Sequence, residues 1–431
     1  MTREMKAANL ALEHMKNLQV EDASVTAATN RKTELNVEGG KLTLLRTTLD
    51  HTLALQAIKG QRRGTVSGNS FEEEHIAQAV KDCVSSAEAG QPDPAWELAK
   101  EGQGDFAKGD FEPDLDKLFE RTKELIDSVH SEYPKVILEQ VITSHTARES
   151  VYRNNHGVHY NSRSGSYSVS LMFSGHEGDK SSSFNGGGFV TYDLSKPFLE
   201  MGSVRQSLKD AENQIHTVAT QGKYEGTVIF TPDCLGGMLY ELLGNFVTDS
   251  VLLDGTSLWK DALNTQVADP RLTITFAPSD PRIVNGENYT GEGFLARDYD
   301  LIKDGVLKRF MLSAYAANKT GKDRAPNSGS GFIVKPGDIS LEDLIKNTRK
   351  GLLVSRYSGG AAGTGGEFSG VAKNSFLIED GKVGQAVNET MISGNLAGML
   401  KQIVGITKET VEDGGSSLPW LAVGGITISG K

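Results

Sequence analysis

The sequence predicts an α+β protein in which two small α/β domains precede a larger, strand-rich C-terminal domain. Its 431 residues suffice for two or three domains at about 150 residues each. The 48 glycines against only 12 prolines favour many turns and close backbone approaches, which are typical of strand-rich chains. Amphipathic helical patterns alternate with strand patterns in the first half of the chain.

The first predicted domain spans residues 1–95. Apolar residues recur at helical spacing over residues 4–18, which predicts a helix. Residues 20–60 read as strands joined by a turn at Glu38-Gly39-Gly40-Lys41. A second helix is expected over residues 71–89, with acidic residues in its first turn. These elements make one small α/β unit.

The second predicted domain spans residues 108–220. It follows a turn-rich stretch, residues 90–110, which we interpret as a linker or exposed loop with a domain boundary near residue 100. Helical spacing predicts helices over 115–133 and 197–220. Between them, residues 135–173 are expected to form short strands, with turns at 154–157 and 161–165.

The third predicted domain, residues 222–431, consists mostly of short strand patterns punctuated by glycines. A buried strand is expected at 227–230, followed directly by a helix over 234–246. Further helices are expected over 341–350 and 395–404. The glycine-rich stretch 359–366 is predicted to be a turn-rich connection, because no Gly-Lys-Ser/Thr follows it as a phosphate-binding loop would require.

Composition excludes several functional classes. The formal charge of -11 and the lack of a basic run argue against direct nucleic-acid binding, which depends on neutralising phosphates. Two cysteines are too few for a disulfide framework, which favours a reducing compartment. The chain starts without the pattern of a signal peptide and contains no apolar stretch suited to a membrane span. We therefore expect a cytoplasmic protein with no membrane partner.

Residues 227–245 resemble a segment of the TldD/PmbA family, in which a strand and a proline turn lead into a helix. The register of this resemblance depends on Thr227-Val228-Ile229, Pro232, Gly236, Leu239, Glu241 and Gly244. Other stretches resemble family blocks in the same order, at 292–307, 350–354, 376–383 and 390–396. The resemblance covers nearly the whole chain and implies a third domain of the TldD/PmbA type.

The chain departs from the family at its metal site. The metal-bearing member TldD carries a His-Glu-x-x-x-His motif, and in this register Tyr240 and Asn245 replace the two histidines. Glu241 keeps the position of the catalytic general base. The third family ligand is a cysteine shortly before a Ser-Leu-Pro, and aligning on residues 417–419 places Val411 there. The resemblance therefore implies the PmbA/TldE branch, with these four positions as a vestigial pocket, no assigned catalytic residue and no metal.

The resemblance implies a metal-free subunit that pairs with a TldD-like metallopeptidase, or with itself as a dimer, and encloses an unfolded peptide. Zinc is expected only in the TldD-like partner, and no other cofactor is expected. Peptide addition to a sheet edge would supply affinity with little sequence preference. Two alternatives stay open: a self-sufficient homodimeric peptidase with an unrecognised site, for example Glu241 with Tyr240, and a protein-binding modulator of DNA gyrase.

Overall fold

A computed structural model describes residues 1–388 and 390–431 of the chain. The helices in this part are α1 (Arg3–Asn17), α2 (Glu73–Ala89), α3 (Leu115–Glu132), α4 (Val204–Asn213), α5 (Pro232–Phe246), α6 (Asp249–Leu253), α7 (Ala314–Thr320), α8 (Leu341–Lys346) and α9 (Leu396–Lys401). A single 3₁₀ turn is formed by Phe198–Glu200. None of the helices within residues 1–388 and 390–431 is both long enough and apolar enough to span a bilayer.

The strands alternate with these helices along the chain and divide between two sheets. The first ten are β1 (Asp22–Glu38), β2 (Lys41–Lys59), β3 (Arg62–Gly68), β4 (Gln103–Lys108), β5 (Val136–Asn154), β6 (His159–Glu177), β7 (Lys180–Ser181), β8 (Asn185–Thr191), β9 (Thr217–Ala219) and β10 (Lys223–Phe230). The others are β11 (Ile274–Phe276), β12 (Tyr299–Lys303), β13 (Val306–Leu307), β14 (Phe332–Val334), β15 (Lys350–Gly359), β16 (Glu367–Glu379), β17 (Lys382–Asn388), β18 (Met391–Asn395), β19 (Ile403–Glu412) and β20 (Ser416–Ser429). The mixed α+β class is confirmed.

The first sheet has the strand order β3-β2-β1-β5-β6-β4, with β8 also paired to β6. Val25 and Leu35 of β1 lie on the same face, since side chains alternate along a strand. Val25 packs in a core with α1 and α2, whereas Leu35 packs in a second core with α3 and α4. Because β1 pairs with β5, this sheet continues across the boundary expected near residue 100. The division into domains stays a prediction.

Several expected elements of this half are confirmed. Helices α1, α2 and α3 lie where the apolar spacing places them. The β1–β2 hairpin turns at Gly39 and Gly40, whose φ angles are +54° and +74°. Such positive angles suit the tight hairpin turns that glycine favours.

Three expectations were wrong. Residues 90–110 are not only a linker, because β4 pairs in parallel with β6. Residues 161–165 are not a turn but lie inside β6, which is paired on both sides by β5 and β4. The helix over 197–220 ends at Asn213, and Val218 instead pairs with Val387 in the second sheet. In each case pairing with a distant strand overrides the local pattern.

The second sheet has the strand order β13-β12-β11-β14-β20-β10-β15-β16-β17-β9. Strand β18 pairs with β16 and β20, and β19 pairs with β20. The sheet's main core includes α5 and α9 together with side chains of its central strands. The helices expected over 341–350 and 395–404 are present but shorter, as α8 and α9.

The two halves are joined by several polar and aromatic contacts. The Val190 amide donates to the Asp413 carbonyl at 2.7 Å, and the Ala99 amide donates to the Glu292 carbonyl at 2.9 Å. The rings of Trp96 and Tyr315 stack with their centroids 3.8 Å apart. A cleft lies between the halves, where α4 and β6 face α5 and β15.

Candidate functional site

Helix α5 begins directly after strand β10, in the middle of the second sheet. Strand β10 pairs with β15 on one side and β20 on the other. Pro232 occupies the first turn of α5, where its missing N–H costs nothing. Leu235, Leu239 and Phe246 are fully buried, so the opposite side of the helix faces outward. This placement carries the family-like segment to the edge of the cleft.

The four positions singled out from the sequence have different surroundings. The Tyr240 side chain is 59% exposed, and its ring centroid lies 5.7 Å from that of Phe332. The side-chain amide of Asn245 donates through Nδ2 to the backbone carbonyl of Glu241, one helical turn earlier, at 3.0 Å. Glu241 Oε2 accepts a hydrogen bond of 3.4 Å from the Ala362 amide. Of the four, Glu241 and Val411 line the cleft.

These side chains do not form a zinc-binding set. Structural and catalytic zinc sites use thiolate, imidazole and carboxylate ligands, with at least three from the protein. At the three positions that the resemblance aligns with metal ligands, this chain has a phenol, an amide and an aliphatic group. Over residues 1–388 and 390–431, no group of three or more His, Cys, Asp or Glu side chains is arranged to hold a metal ion. The side chains at these positions therefore do not fit a zinc ion.

The cleft has a volume of about 1140 Å³. One wall comes from β6, β8 and α4 of the N-terminal half, and the other from α5, β15 and β19. Phe184, which is 58% exposed, stands in this cleft on the loop before β8. Its carbonyl accepts hydrogen bonds from Arg356 Nη1 at 2.9 Å and Asn374 Nδ2 at 3.3 Å. This volume is slightly larger than the roughly 300–1,000 Å³ of typical small-molecule pockets.

Strand β15 presents an open edge to the cleft. Its first residues pair on one side with β10, and this pairing ends at Val354, opposite Phe230. From Arg356 to Gly359 the only strand paired with β15 is β16, within the described part of the chain. On the other side the Tyr357 amide approaches the Cys234 sulfur of α5. Residues 355–360 line the cleft. An unpaired strand edge is a template to which an extended chain can add main-chain hydrogen bonds.

Two aspartates face each other across the cleft from α4 and α5. Asp210 is only 7% exposed and accepts a hydrogen bond from Gln206 Nε2 at 2.8 Å. Burial raises its pKa to about 6, and the charge of Asp233 adds to this effect. Asp233 opens into the cleft and accepts a hydrogen bond from Ser203 Oγ at 3.0 Å. The surrounding walls desolvate it and raise its pKa.

Cys234 is a small core residue. It is buried beside the first turn of α5, and burial raises the pKa of its thiol to about 12. A thiol in this state is not a nucleophile at neutral pH.

Sequence reasoning missed both aspartates and the open edge of β15. Asp233 lies next to Pro232 at the start of the predicted helix, but nothing local indicates what faces it. Asp210 lies between the apolar residues Leu208 and Ala211, and this position was a usable signal of burial. The open edge depends on where β10 ends relative to β15, which no local pattern reveals.

Two family models match the chain. The model of the PmbA/TldA metallopeptidase C-terminal domain matches residues 221–430, and that of PmbA/TldA metallopeptidase domain 1 matches residues 23–89. Together these matches cover more than half of the chain and include β1, β2, α2 and the whole second sheet from β10 onward.

Individual proteins are similar over different lengths. The metalloprotease PmbA of Escherichia coli O157:H7 is 24% identical over 400 residues, which cover 87% of this chain and 86% of that protein. A metalloprotease of Methanothermobacter thermautotrophicus is 30% identical over 193 residues, and this alignment spans only 42% of each protein. The crystal structure of TldE from Thermococcus kodakarensis superposes with a TM-score of 0.84, at 21% identity and over 100% of both chains. This structural likeness shows that the two chains share a fold.

Proposed function

Because this chain belongs to the PmbA/TldD metallopeptidase family, we propose that it is a metal-free, TldE-like subunit which binds extended peptide and supports its cleavage by a TldD-like partner. The role would be proteolysis in peptide maturation, in the cytoplasm. The observation that carries the proposal is that an open strand edge lines the cleft while the family's metal-ligand positions hold non-ligating side chains.

The metal-free part of the proposal rests on donor chemistry. Catalytic zinc lowers the pKa of a bound water to about 7 only when three good ligands hold the ion. With Tyr240, Asn245 and Val411 in their places, Glu241 has no metal-bound water to deprotonate. Its hydrogen bond from Ala362 gives it another role, holding the glycine-rich connection that follows β15.

The peptide-binding part rests on the geometry of the cleft. Residues 355–359 of β15 run along α5 and lack a strand neighbour on that side within the described chain. A peptide added there would pair through its backbone, so affinity would depend little on sequence. Phe184 and Tyr357 supply apolar surface beside this edge.

Reconstitution tests the proposal. The purified chain, alone and mixed with a TldD-like protein from the same source, is assayed against an unfolded peptide and analysed for zinc. We expect cleavage only in the mixture, with zinc bound by the partner and a stable complex in size-exclusion chromatography. The Glu241→Gln variant of this chain should leave cleavage of an uncharged peptide by the mixture within about twofold, because no metal-bound water depends on this carboxylate.

Other outcomes would favour the two alternative functions. Stoichiometric zinc in this chain alone, with peptidase activity abolished by Glu241→Gln, would establish a self-sufficient homodimeric peptidase. Capture of gyrase by the chain, with no effect on a TldD-like protein, would establish a gyrase modulator. Either result would contradict the proposed subunit role.

The family register can be tested by restoring the ligands. We expect the combined variant Tyr240→His, Asn245→His and Val411→Cys to bind zinc, because three ligands must converge on one ion. Each single substitution should leave zinc binding at the background of the unmodified protein. The measurement is metal content after dialysis, with cobalt absorption as a check on coordination. Tight zinc binding by Tyr240→His alone would show that the register is wrong.

A further inference from the structure

The cleft face of α5 carries two carboxylates separated by bare helix surface. Asp233, Gly237 and Glu241 follow one another at intervals of four residues, so they lie near one face of the helix. All three line the cleft. A Cβ placed on Gly237 would meet nothing within 4 Å, so the space between the two carboxylates is open.

The charged side chains around the cleft do not neutralise the carboxylates on the cleft face of α5. Asp210 approaches from α4, and Ser203 hydrogen-bonds Asp233. The guanidinium of Arg205 is already engaged by Glu132 and Glu200. That of Arg356 donates to the carbonyl of Phe184. The carbonyl does not neutralise Arg356, but the cleft lining holds four carboxylates against two guanidinium groups, so negative charge is in excess. The carboxylates are those of Glu200, Asp210, Asp233 and Glu241, and the guanidinium groups are those of Arg205 and Arg356.

A buried polar group lies at the same end of the cleft. Thr231, immediately before α5, is 8% exposed, and its hydroxyl has no hydrogen-bond partner within residues 1–388 and 390–431. Thr231 and Ser355, the first residue of the open β15 edge, both line the cleft. Buried hydroxyls are normally hydrogen-bonded, so an unpaired one beside an open strand edge indicates a missing polar partner.

We propose that this acidic face selects basic side chains of a peptide bound along the open edge of β15. The inference rests on the proposed peptide-binding function and adds its sequence preference. One basic side chain would lie between Asp210 and Asp233, and a second would lie at Glu241. The peptide backbone near the first would supply the partner that Thr231 lacks.

The spacing of the two basic residues follows from the geometry of helix and strand. Asp233 and Glu241 are eight residues apart, which is about 12 Å along a helix at about 1.5 Å per residue. An extended peptide rises about 3.3 Å per residue, so about four residues cover this distance. Side chains four apart also point to the same side of a strand. The favoured segment is therefore Lys-x-x-x-Lys or its arginine equivalent.

The test compares three fluorescent peptides of equal length on the full-length protein at pH 7.5. They carry two lysines four apart, two lysines three apart, or no lysine, in an otherwise uncharged background. We expect the first to bind about tenfold more tightly than the peptide without lysine, which corresponds to two modest ion pairs, and about threefold more tightly than the peptide with lysines three apart, which can form only one of them. Asp233→Asn or Glu241→Gln should each reduce this preference about threefold. Glu74→Gln, on the exposed side of α2, is the matched control and should preserve the preference.

The outcomes separate this inference from the proposed function. Equal binding of all three peptides would overturn the basic preference and leave peptide binding intact. Equal affinity for lysines three and four apart, still lost in the two variants, would overturn the spacing. Binding of none of the peptides, together with no cleavage in the reconstituted mixture, would overturn the proposed function itself.

Discussion

Replacing Asp210 by Asn is expected to raise the free energy of unfolding by about 2–3 kcal/mol at pH 8. Burial raises the pKa of this carboxyl from 3.8 to about 6, so the folded protein holds it less readily in the charged form than the unfolded chain does. Between these two pKa values the folded state binds more protons, and this group's contribution to stability falls as pH rises. An amide avoids the penalty at every pH.

Urea denaturation of both proteins at pH 4.5 and pH 8 checks this prediction. The gain in stability from Asp210→Asn should shrink to less than about 1 kcal/mol at pH 4.5, where the native carboxyl is already protonated. Asp82→Asn on the exposed surface of α2 serves as the control and should change stability by less than about 0.5 kcal/mol at either pH. A gain of the same size at both pH values would show that the charge of Asp210 is not its cause.

Substituting Ala for Gly64 is expected to lower the free energy of unfolding by about 2–3 kcal/mol. The added Cβ would lie 2.2 Å from the Cys83 carbonyl oxygen and 2.4 Å from the Ala87 nitrogen. Both atoms belong to the backbone of α2, so the helix must move away from β3. The loss of packing would extend to the core shared by α1, α2 and β1.

Gly68→Ala is the matched control, because Gly68 lies in the same strand and a Cβ there would meet nothing within 4 Å. It should change stability by less than about 0.5 kcal/mol in the same urea titration. Equal losses in both variants would mean that backbone freedom, and not the approach of α2, explains the need for glycine at position 64.

The buried carboxylate of Asp210 lowers the stability of the fold, and its position in the cleft suggests what this loss of stability serves. Desolvated acids in clefts are typical of functional sites, where stability is exchanged for a group that interacts with a ligand. Asp210 lines the cleft opposite Asp233 and forms no ion pair within residues 1–388 and 390–431, and the nearby charge of Lys209 offsets its burial only in part. The stability gained by Asp210→Asn and the proposed preference for basic peptides therefore both report on the buried carboxylate of Asp210 opposite Asp233.

The parts of the fold that the sequence predicts are those set by local pattern. Helices α1 and α3 combine apolar spacing with the capping residues Thr2 and Asp114. Strand β4 and the middle of β6 were not predicted, because their segments are polar and contain glycine. They become strands only because β4 pairs with β6 and β6 pairs with β5. Pairing between residues more than 50 positions apart leaves no local trace.

The candidate site also has one part that local sequence indicates and another part that depends on contacts between distant segments. Glu241 could be singled out because the surrounding segment resembles a known family at fixed positions. Asp210 could not be connected with Asp233, since these residues belong to different halves that meet only in the folded chain. The open edge of β15 likewise depends on β10 ending at Phe230 while its neighbour continues.

The bonds that join the two halves determine how wide the cleft can become. The walls are tied by Val190 to Asp413, by Ser203 to Asp233 and by Phe184 to Arg356. The two halves are also held together where Trp96 stacks on Tyr315. Widening the cleft would break these contacts, each of which stabilises the narrow arrangement by about 1 kcal/mol. A cleft kept narrow by such ties would suit the extended peptide proposed above better than a folded domain.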